Sequence, residues 1–583
     1  MQTYFHKLLF CLFAIGALSG CSKFLNKPPF ASLTPDQAFK NVNDLALYTN
    51  SFYSFVPAAS GIYGGDNTSD YIAGNNIPGL LTPQNNPDQT GSWSWTTLRN
   101  INYFLQNDNE PSIPIATRNN YAGLARFFRA WYYFGMVRSY GDVPWYSAAL
   151  GTTDSALYKS RDPRTLVMDS IVADLDFAIA NLTATKDNTA SVITKWTALA
   201  LKSRVCLFEG TYRKYHTELG LTGSAADYLN KAVDASNVLI SSGQYKLHNT
   251  GTPASDYRAL FITEVPWPDE VILASVYSTT LKKYHEANQY FTSVTLGNRS
   301  SPIKSFMDTY LNLDGTRFTD QPLFDTIFFT NETKNRDLRM QQTVRCNGYK
   351  RSDGTSAPPD YSYTFTGYQL LKYLVDDKTL DSKALNTNSL PIFRYAEILL
   401  NLAEAKAELG TFTATDWTNT ISLLRKRAGI TNTNYPTTID PYLKTVYYPN
   451  IADPALMEIR RERGVELMME GLRFDDLRRW KAGTLMNLPY NGVYVPQMNV
   501  PYAMNGDGKL NVAFVTKAPT SGAVPGVTYY SINGTLVLLT QGDHGNIIWL
   551  ANTPKVWDDK FYLTPIATAD LVLNPKLGQN PGW

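Results

Sequence analysis

The sequence predicts a mainly α-helical protein in which helical pairs stack into one scaffold, while long irregular insertions and a few short β-strands form the part where functional residues are expected. Two observations lead to this prediction. Apolar residues recur at the i, i+3, i+4, i+7 spacing of a helix over long parts of the chain. Between those parts lie segments rich in Gly, Asn, Pro and Thr that have no helical period. The scaffold is predicted over residues 34–56, 95–245 and 391–482, and the insertions over residues 57–94, 246–390 and 483–583.

The clearest single helix begins before Tyr121. From there, apolar side chains and one glycine follow one helical face at positions 121, 124, 125, 128, 132 and 135. Aromatic residues cover a second face, so this helix is predicted to be buried on two sides. It is predicted to end at Gly141. Two further helices are predicted over residues 163–182 and 194–210.

Three stretches have the pattern of two helices joined by a short turn. They cover residues 194–243, 391–428 and 453–480. Small residues on the facing sides let the two helices approach closely, a pattern similar to tetratricopeptide repeats. The first helices of the first two pairs are predicted to end at Gly210 and Gly410, as left-handed C-terminal caps require.

The N-terminus has the pattern of a bacterial lipoprotein signal. Leu8–Leu18 is a run of 11 residues, apolar except for one glycine, which is too short to span a membrane but suits a signal-peptide core. A Ser-Gly pair then leads into Cys21. We therefore predict a signal peptide over residues 1–20, lipidation of Cys21 and a tether over residues 21–33. The alternative is an ordinary secretory signal that a cysteine happens to follow.

Composition excludes several classes of function. The formal net charge of +2 on 583 residues gives no electrostatic footprint for nucleic acid. Of the four cysteines, only Cys206 and Cys346 lie beyond the signal region, which leaves one disulfide open and excludes a disulfide framework. The histidines and cysteines have no metal-ligand spacing, so neither a metal nor a cofactor is predicted.

No catalytic constellation stands out either. The chain has no Gly-x-Ser-x-Gly elbow and no phosphate-binding loop. Residues 503–514 resemble part of a calcium loop but have Ala503 and Phe514 where carboxylate ligands are needed. Glu462, Glu466 and Glu470 alternate with arginines, and we interpret this group as an ion-pair network. A pair of facing carboxylates, as in a glycosidase, stays open on sequence spacing alone.

Several long motifs occur in a fixed order. They read RFFRAWYYFGMVRSYGDVPW (126–145), FRYAEILLNLAEAKAELG (393–410), LLRKRAGI (423–430), IRRERGVELMMEGLRFDDLRRW (459–480) and LNPKLGQNPGW (573–583). Together with the lipoprotein signal, these motifs resemble the SusD/RagB family of Bacteroidetes outer-membrane lipoproteins over nearly the whole chain.

The resemblance implies a function as well as a fold. It implies a non-catalytic protein that captures an oligosaccharide at the outer membrane and delivers it to a SusC-like TonB-dependent transporter. Three alternatives remain: peptide cargo, as in the RagB branch; a scaffold that binds only the transporter; and a surface glycosidase. No acidic residue precedes Asp36 after Cys21, so the charge pattern leaves open which side of the outer membrane the protein faces.

The site itself is predicted from aromatic and polar residues in the insertions. In starch-binding members, glycan lies on an arc of aromatic side chains, and Trp95 and Asn100 have the Trp-x₄-Asn spacing of one such member. The alternative is that Trp95 anchors the following helix in the core. The residues predicted to contact ligand are Trp93, Trp95, Asn100, Asp70, Tyr71, Tyr284, Tyr290 and Phe291.

Overall fold

The computed structural model describes residues 39–583, and it is mainly helical with few short strands, which confirms the predicted fold class. The predicted signal peptide, the lipidation site Cys21 and the tether lie outside the described residues. Cys206 and Cys346 are both buried and unpaired, so the disulfide that the sequence left open does not form.

The α-helices are numbered in chain order; those in the insertions are short, and all the long ones lie in the scaffold. They are α1 Val42–Asn50, α2 Ala59–Tyr63, α3 Thr96–Asn107, α4 Ile115–Tyr140, α5 Arg164–Asn181, α6 Lys195–Tyr215, α7 Ala225–Ser241, α8 Asp256–Ile262, α9 Ala287–Phe291, α10 Lys304–Met307, α11 Phe329–Glu332, α12 Leu338–Thr343, α13 Tyr395–Glu408, α14 Ala414–Asn419, α15 Ile421–Arg427, α16 Pro441–Val446, α17 Pro454–Glu466, α18 Arg473–Arg479 and α19 Thr568–Leu573.

The strands form small separate sheets. They are β1 Ile72–Ala73, β2 Val271–Ser275, β3 Ser301–Pro302, β4 Leu390–Arg394, β5 Tyr490–Val495, β6 Pro501–Tyr502, β7 Val512–Val515, β8 Thr528–Ser531, β9 Val537–Leu539 and β10 Gly545–Trp549. The antiparallel sheets are β1–β3, β2–β4 and β5–β10–β9, while β7 pairs antiparallel with β6 and parallel with β8. Apart from β4, these strands lie in the insertions.

Helix α4 matches its prediction closely. It ends where Gly141 adopts φ +75°, a left-handed conformation that glycine reaches without strain. Its buried residues include aromatic side chains on two faces, with Tyr132 on one and Phe134 on the other. Helix α5 packs along it, so the pair forms one layer of the scaffold.

Helices α6 and α7 form the predicted pair, but Gly210 does not end α6. The helix continues to Tyr215, and Gly210 lies inside it where a Cβ atom would come within 2.8 Å of the Leu229 side chain on α7. The glycine therefore allows a close approach of two helices instead of terminating one. The prediction was wrong because close packing and capping both favour glycine.

The second predicted pair begins later than expected. Residues 390–394 are strand β4, which pairs with β2, and the helix starts only at Tyr395. Gly410, at φ +71°, follows this helix as predicted. Helix α13 packs against α6, α7 and α17, and all but one of its residues are buried. It is the central helix of the scaffold.

A buried ion network surrounds Glu466, at the end of α17. Its carboxylate accepts hydrogen bonds from Arg394 Nη1 at 2.5 Å, from Arg339 Nη1 at 2.8 Å and from Arg427. All four side chains are at most 1% exposed. The predicted ion-pair network among these glutamates is therefore present, and its arginines come from β4, α12 and α15.

A second network surrounds Glu404 on α13. Arg479 donates to both carboxylate oxygens at 2.5 and 2.7 Å, and the Trp480 indole N–H donates at 2.6 Å. Burial alone would raise the pKa of Glu404, but the charge and hydrogen bonds of Arg479, with the neighbouring Arg463 and Arg460, lower it to about 2. The charged residues of the motif at 459–480 are thus used to hold helices together.

We expect Glu466→Gln to lower the free energy of unfolding by about 3–5 kcal/mol, because it leaves buried arginines without a counter-charge. Chemical denaturation of the full chain measures this loss. Glu218→Gln is the matched control: its side chain is 50% exposed beside Lys481, so its loss should be below about 1 kcal/mol. Equal losses in the two variants would contradict the role given to Glu466.

We also expect acid to destabilise the scaffold through Glu404. An unfolded glutamate titrates near pH 4.5, whereas the folded pKa of Glu404 is about 2. The ion pairs of Glu404 therefore contribute fully above pH 4.5, and their contribution is lost as the pH falls from about 4.5 towards 2. Denaturant midpoints measured from pH 6 to pH 3 should fall over the lower part of this range; a constant midpoint would refute the argument.

Candidate ligand-binding site

Trp93 and Trp95 lie side by side at the start of α3. Their rings meet edge to face at 5.6 Å. Trp93 also contacts Tyr140 at 5.2 Å, and its backbone N–H donates to Asp570 at 2.9 Å. Trp95 contacts Tyr146 at 5.2 Å in an edge-to-face arrangement. Both indoles are half-buried, so each anchors the start of the helix and still presents part of its surface.

A cavity of about 180 Å³, which we call the Trp95 pocket, opens beside these rings. One wall is the face of α3 at the i, i+3, i+4, i+7 positions, and the other is the segment that follows α4. The lining residues are Trp95, Leu98, Arg99, Asn102, Tyr146, Ala148, Leu150 and Leu157.

The chemistry of the Trp95 pocket is that of an amphipathic aromatic site. Burial, with the nearby carboxylates of Asp162 and Asp154, raises the pKa of Tyr146 to about 12, so its hydroxyl stays protonated at neutral pH. Within residues 39–583 this hydroxyl makes no hydrogen bond. Lys159 Nζ lies 5.1 Å from the Tyr146 ring, and Arg99 is exposed at the rim. The pocket therefore offers aromatic surface together with polar donors.

Asn100 does not join Trp95 in this pocket. Five residues of helix turn it about 140° away from Trp95, and it is exposed on another face of α3. The lining position belongs to Asn102, whose amide donates to the Tyr146 carbonyl at 2.8 Å and accepts from Arg129 at 3.1 Å. The Trp-x₄-Asn spacing therefore does not build a paired site in this chain.

Asp70 and Tyr71 are inside the protein, contrary to the prediction that they contact ligand. Asp70 accepts hydrogen bonds from Arg473 Nε and Nη2, both at 2.7 Å, and is 2% exposed. Tyr71 is 1% exposed, and its hydroxyl donates to Asp66 at 2.5 Å. Asp70 thus attaches the first insertion to α18, and the Tyr71 hydroxyl accepts from the Met469 N–H at 3.1 Å, so both residues have a structural role.

Tyr284, Tyr290 and Phe291 lie apart from the Trp95 pocket. Phe291 is 5% exposed and packs against Tyr63, so it too is a core residue. Tyr290 is half-buried, with its hydroxyl accepting a 2.8 Å hydrogen bond from Asn67. Tyr284 is 37% exposed. In the described part of the chain, no ring contact or hydrogen bond joins this group to Trp93 or Trp95.

Sequence reasoning missed Tyr146, Arg99 and Leu157. Tyr146 follows the Gly-Asp-Val-Pro exit of α4, and that exit could have indicated that the chain turns back towards α3. Over residues 39–583, no group of three or more His, Cys, Asp or Glu side chains has an arrangement suited to a metal ion. Over the same residues, no helix has both the length and the apolar character of a membrane span.

Two family models match the chain. The model described as the SusD family matches residues 269–583, more than half of the sequence. The chain belongs to the SusD family. A second model, described as starch-binding associating with outer membrane, matches residues 92–207, which include Trp93, Trp95 and Tyr146.

Relatives and solved structures agree with this SusD-family assignment. SusD-like protein P38 of Formosa agariphila is 24% identical over 517 residues, which is 83% of this chain and 92% of that protein. A SusD-like carbohydrate binding protein of Bacteroides fragilis superposes with a TM-score of 0.68 at 20% identity, covering 93% of this chain and 99% of that one. A second SusD-like protein of Bacteroides fragilis gives 0.67 at 20% identity, with 96% and 100% coverage. At these identities the structures show a shared fold.

We expect Asp70→Asn to reduce stability without affecting ligand binding by the folded protein. Removing the charge leaves Arg473 buried and uncompensated, at a cost of about 3–5 kcal/mol. Denaturation midpoints measure the first effect, and calorimetry well below the midpoint measures the second. A variant with unchanged stability and lost affinity would instead make Asp70 a ligand contact.

Proposed function

We propose that this protein is a non-catalytic, lipid-anchored protein of the outer membrane that binds an oligosaccharide and delivers it to a TonB-dependent transporter of SusC type. The observation that carries the ligand assignment is the Trp95 pocket, where two half-exposed aromatic rings meet donors from Tyr146 and Arg99. Sugar rings have apolar C–H faces and a rim of hydroxyl groups, and such a pocket complements both.

The size of the Trp95 pocket favours one unit of a chain over a whole ligand. Its volume of about 180 Å³ is below the ~300–1,000 Å³ of sites that enclose a small molecule. A polymer could lie across its mouth and place one sugar against Trp95. Such contact predicts weak binding, with a Kd of about 10⁻³ to 10⁻⁶ M, which suits a protein that must release its cargo.

Two further observations support the location at the outer membrane. The family model that covers the Trp95 pocket is described as starch-binding associating with outer membrane. Cys21, directly after the apolar signal, supplies the thiol for a lipid anchor. The proposal therefore places the protein at the outer membrane with a lipid on Cys21, on the outer face beside its transporter.

Calorimetry of the full chain against a panel of neutral and acidic oligosaccharides tests the ligand assignment. We expect at least one glycan to bind, and Trp95→Ala and Tyr146→Ala each to weaken it by about tenfold or more, because each removes aromatic surface at the centre of the contact. Trp267→Ala is the matched control, since this half-buried tryptophan packs on His248, outside the pocket.

Two results would overturn the proposal. One is the absence of binding to every glycan. The other is a glycan affinity that Trp95→Ala and Tyr146→Ala leave unchanged. Mass spectrometry of cargo that co-purifies with the native transporter tests the peptide alternative, since recovered peptides instead of glycans would indicate a peptide-uptake role.

A further inference from the structure

Three residues far apart in the sequence form a stack on the insertions. The Phe365 ring lies parallel to the Trp549 ring, with centroids 3.9 Å apart and planes 12° apart. The guanidinium carbon of Arg299 lies 4.4 Å from the Phe365 centroid. One ring face cannot hold both groups at these distances, so Arg299 and Trp549 occupy opposite faces. We call this arrangement the Arg299 stack.

Hydrogen bonds to neighbouring residues hold the two rings of the stack in place. The Trp549 indole N–H donates to the Gly74 carbonyl at 2.8 Å, and the Phe365 carbonyl accepts from the Tyr530 hydroxyl at 2.8 Å. Phe365 is 3% exposed, whereas Trp549 and Arg299 are partly exposed. The guanidinium is therefore the outer layer of a fixed aromatic base.

The charge of Arg299 has no partner within the described residues. Its side chain makes no ion pair there and its Nε is buried without a hydrogen bond, although the charge of Asp360 acts on it from beyond ion-pair distance. By contrast, the buried Arg473 pairs with Asp70 at 2.7 Å, and the buried Arg336 donates to the Met307 carbonyl at 2.9 Å. Arg299 thus differs from them in having its two terminal nitrogens free to bind an external acceptor.

The backbone at Arg299 is also unusual. Its φ of +50° lies in the left-handed region, which costs a residue other than glycine about 1 kcal/mol. Glycine would adopt this conformation freely, yet the chain has a long cationic side chain here, two residues before β3. Such strain is found preferentially at binding sites.

We propose that the Arg299 stack is a subsite for an anionic substituent of the ligand, a carboxylate or a sulfate ester on a sugar. A planar guanidinium offers two parallel N–H donors that match either group, and stacking on Phe365 fixes its plane in advance. This inference rests on the proposed glycan-binding function and specifies the ligand as an acidic glycan. The subsite is separate from the Trp95 pocket.

The experiment compares matched acidic and neutral ligands by calorimetry on the full chain. The probes are trigalacturonate, its methyl ester and a sulfated galactotriose. We expect the wild type to bind at least one acidic probe about tenfold more tightly than the ester, with an affinity that falls as salt rises. Arg299→Gln should abolish this preference, and Arg299→Lys should retain part of it. Tighter binding of trigalacturonate indicates that the subsite takes a carboxylate, and tighter binding of the sulfated probe indicates that it takes a sulfate ester.

Lys517→Gln is the control, because it removes the same charge from an exposed position of the insertions. Its acid preference should equal that of the wild type. The proposal is overturned if the wild type does not distinguish acid from ester, or if Arg299→Gln retains the preference. If either of these results is found but neutral glycans still bind through Trp95, the proposed glycan-binding function is retained and only the anionic subsite is rejected. If acid binding needs Arg299 but is unaffected by Trp95→Ala and Tyr146→Ala, the subsite stands and the Trp95 pocket fails.

Discussion

The buried carboxylate of Glu466 is the contact on which the rest of the architecture depends. It lies at the end of α17 and is shared by arginines from β4, α15 and α12. Helix α12 belongs to an insertion, whereas β4 leads directly into the central helix α13. One desolvated carboxylate therefore fixes the second insertion against two layers of the scaffold. Water cannot reach any of the three arginines, so each must keep its hydrogen bonds within this buried network.

This rigidity has a consequence for binding. The insertions contain few long elements, yet they are attached to the scaffold by specific buried bonds, such as Asp70 to Arg473. Their exposed side chains are therefore held in position before a ligand arrives. Preorganisation of this kind reduces the ordering cost of a weak contact. If the protein binds a glycan as proposed, a small aromatic pocket or one stacked guanidinium is then sufficient for recognition without strong binding.

The sequence predicted the scaffold well and the site poorly, for a physical reason. Helical periodicity is local, so α4, the α6–α7 pair and Gly410 could be placed from a few neighbouring residues. Burial of a loop side chain is not local: Asp70 meets Arg473 across 403 residues of sequence. An aromatic residue in an insertion has the same local pattern whether it faces solvent or core, which is why Phe291 and Tyr71 were misassigned. For the same reason, no local pattern could join Arg299, Phe365 and Trp549.

The motifs that identify the family therefore do not predict which ligand a member binds. In the segment from 459 to 480, the arginines and glutamates are bonded to one another and to α13, as Arg479 and Trp480 are to Glu404. Most of these charged groups are buried, so they are out of reach of cargo. Ligand choice must then depend on residues outside the motifs, and Tyr146 and Arg299 differ from the motif residues in keeping free donors at the surface. Two members with the same scaffold can for this reason bind different glycans without any change in the contacts that make them fold.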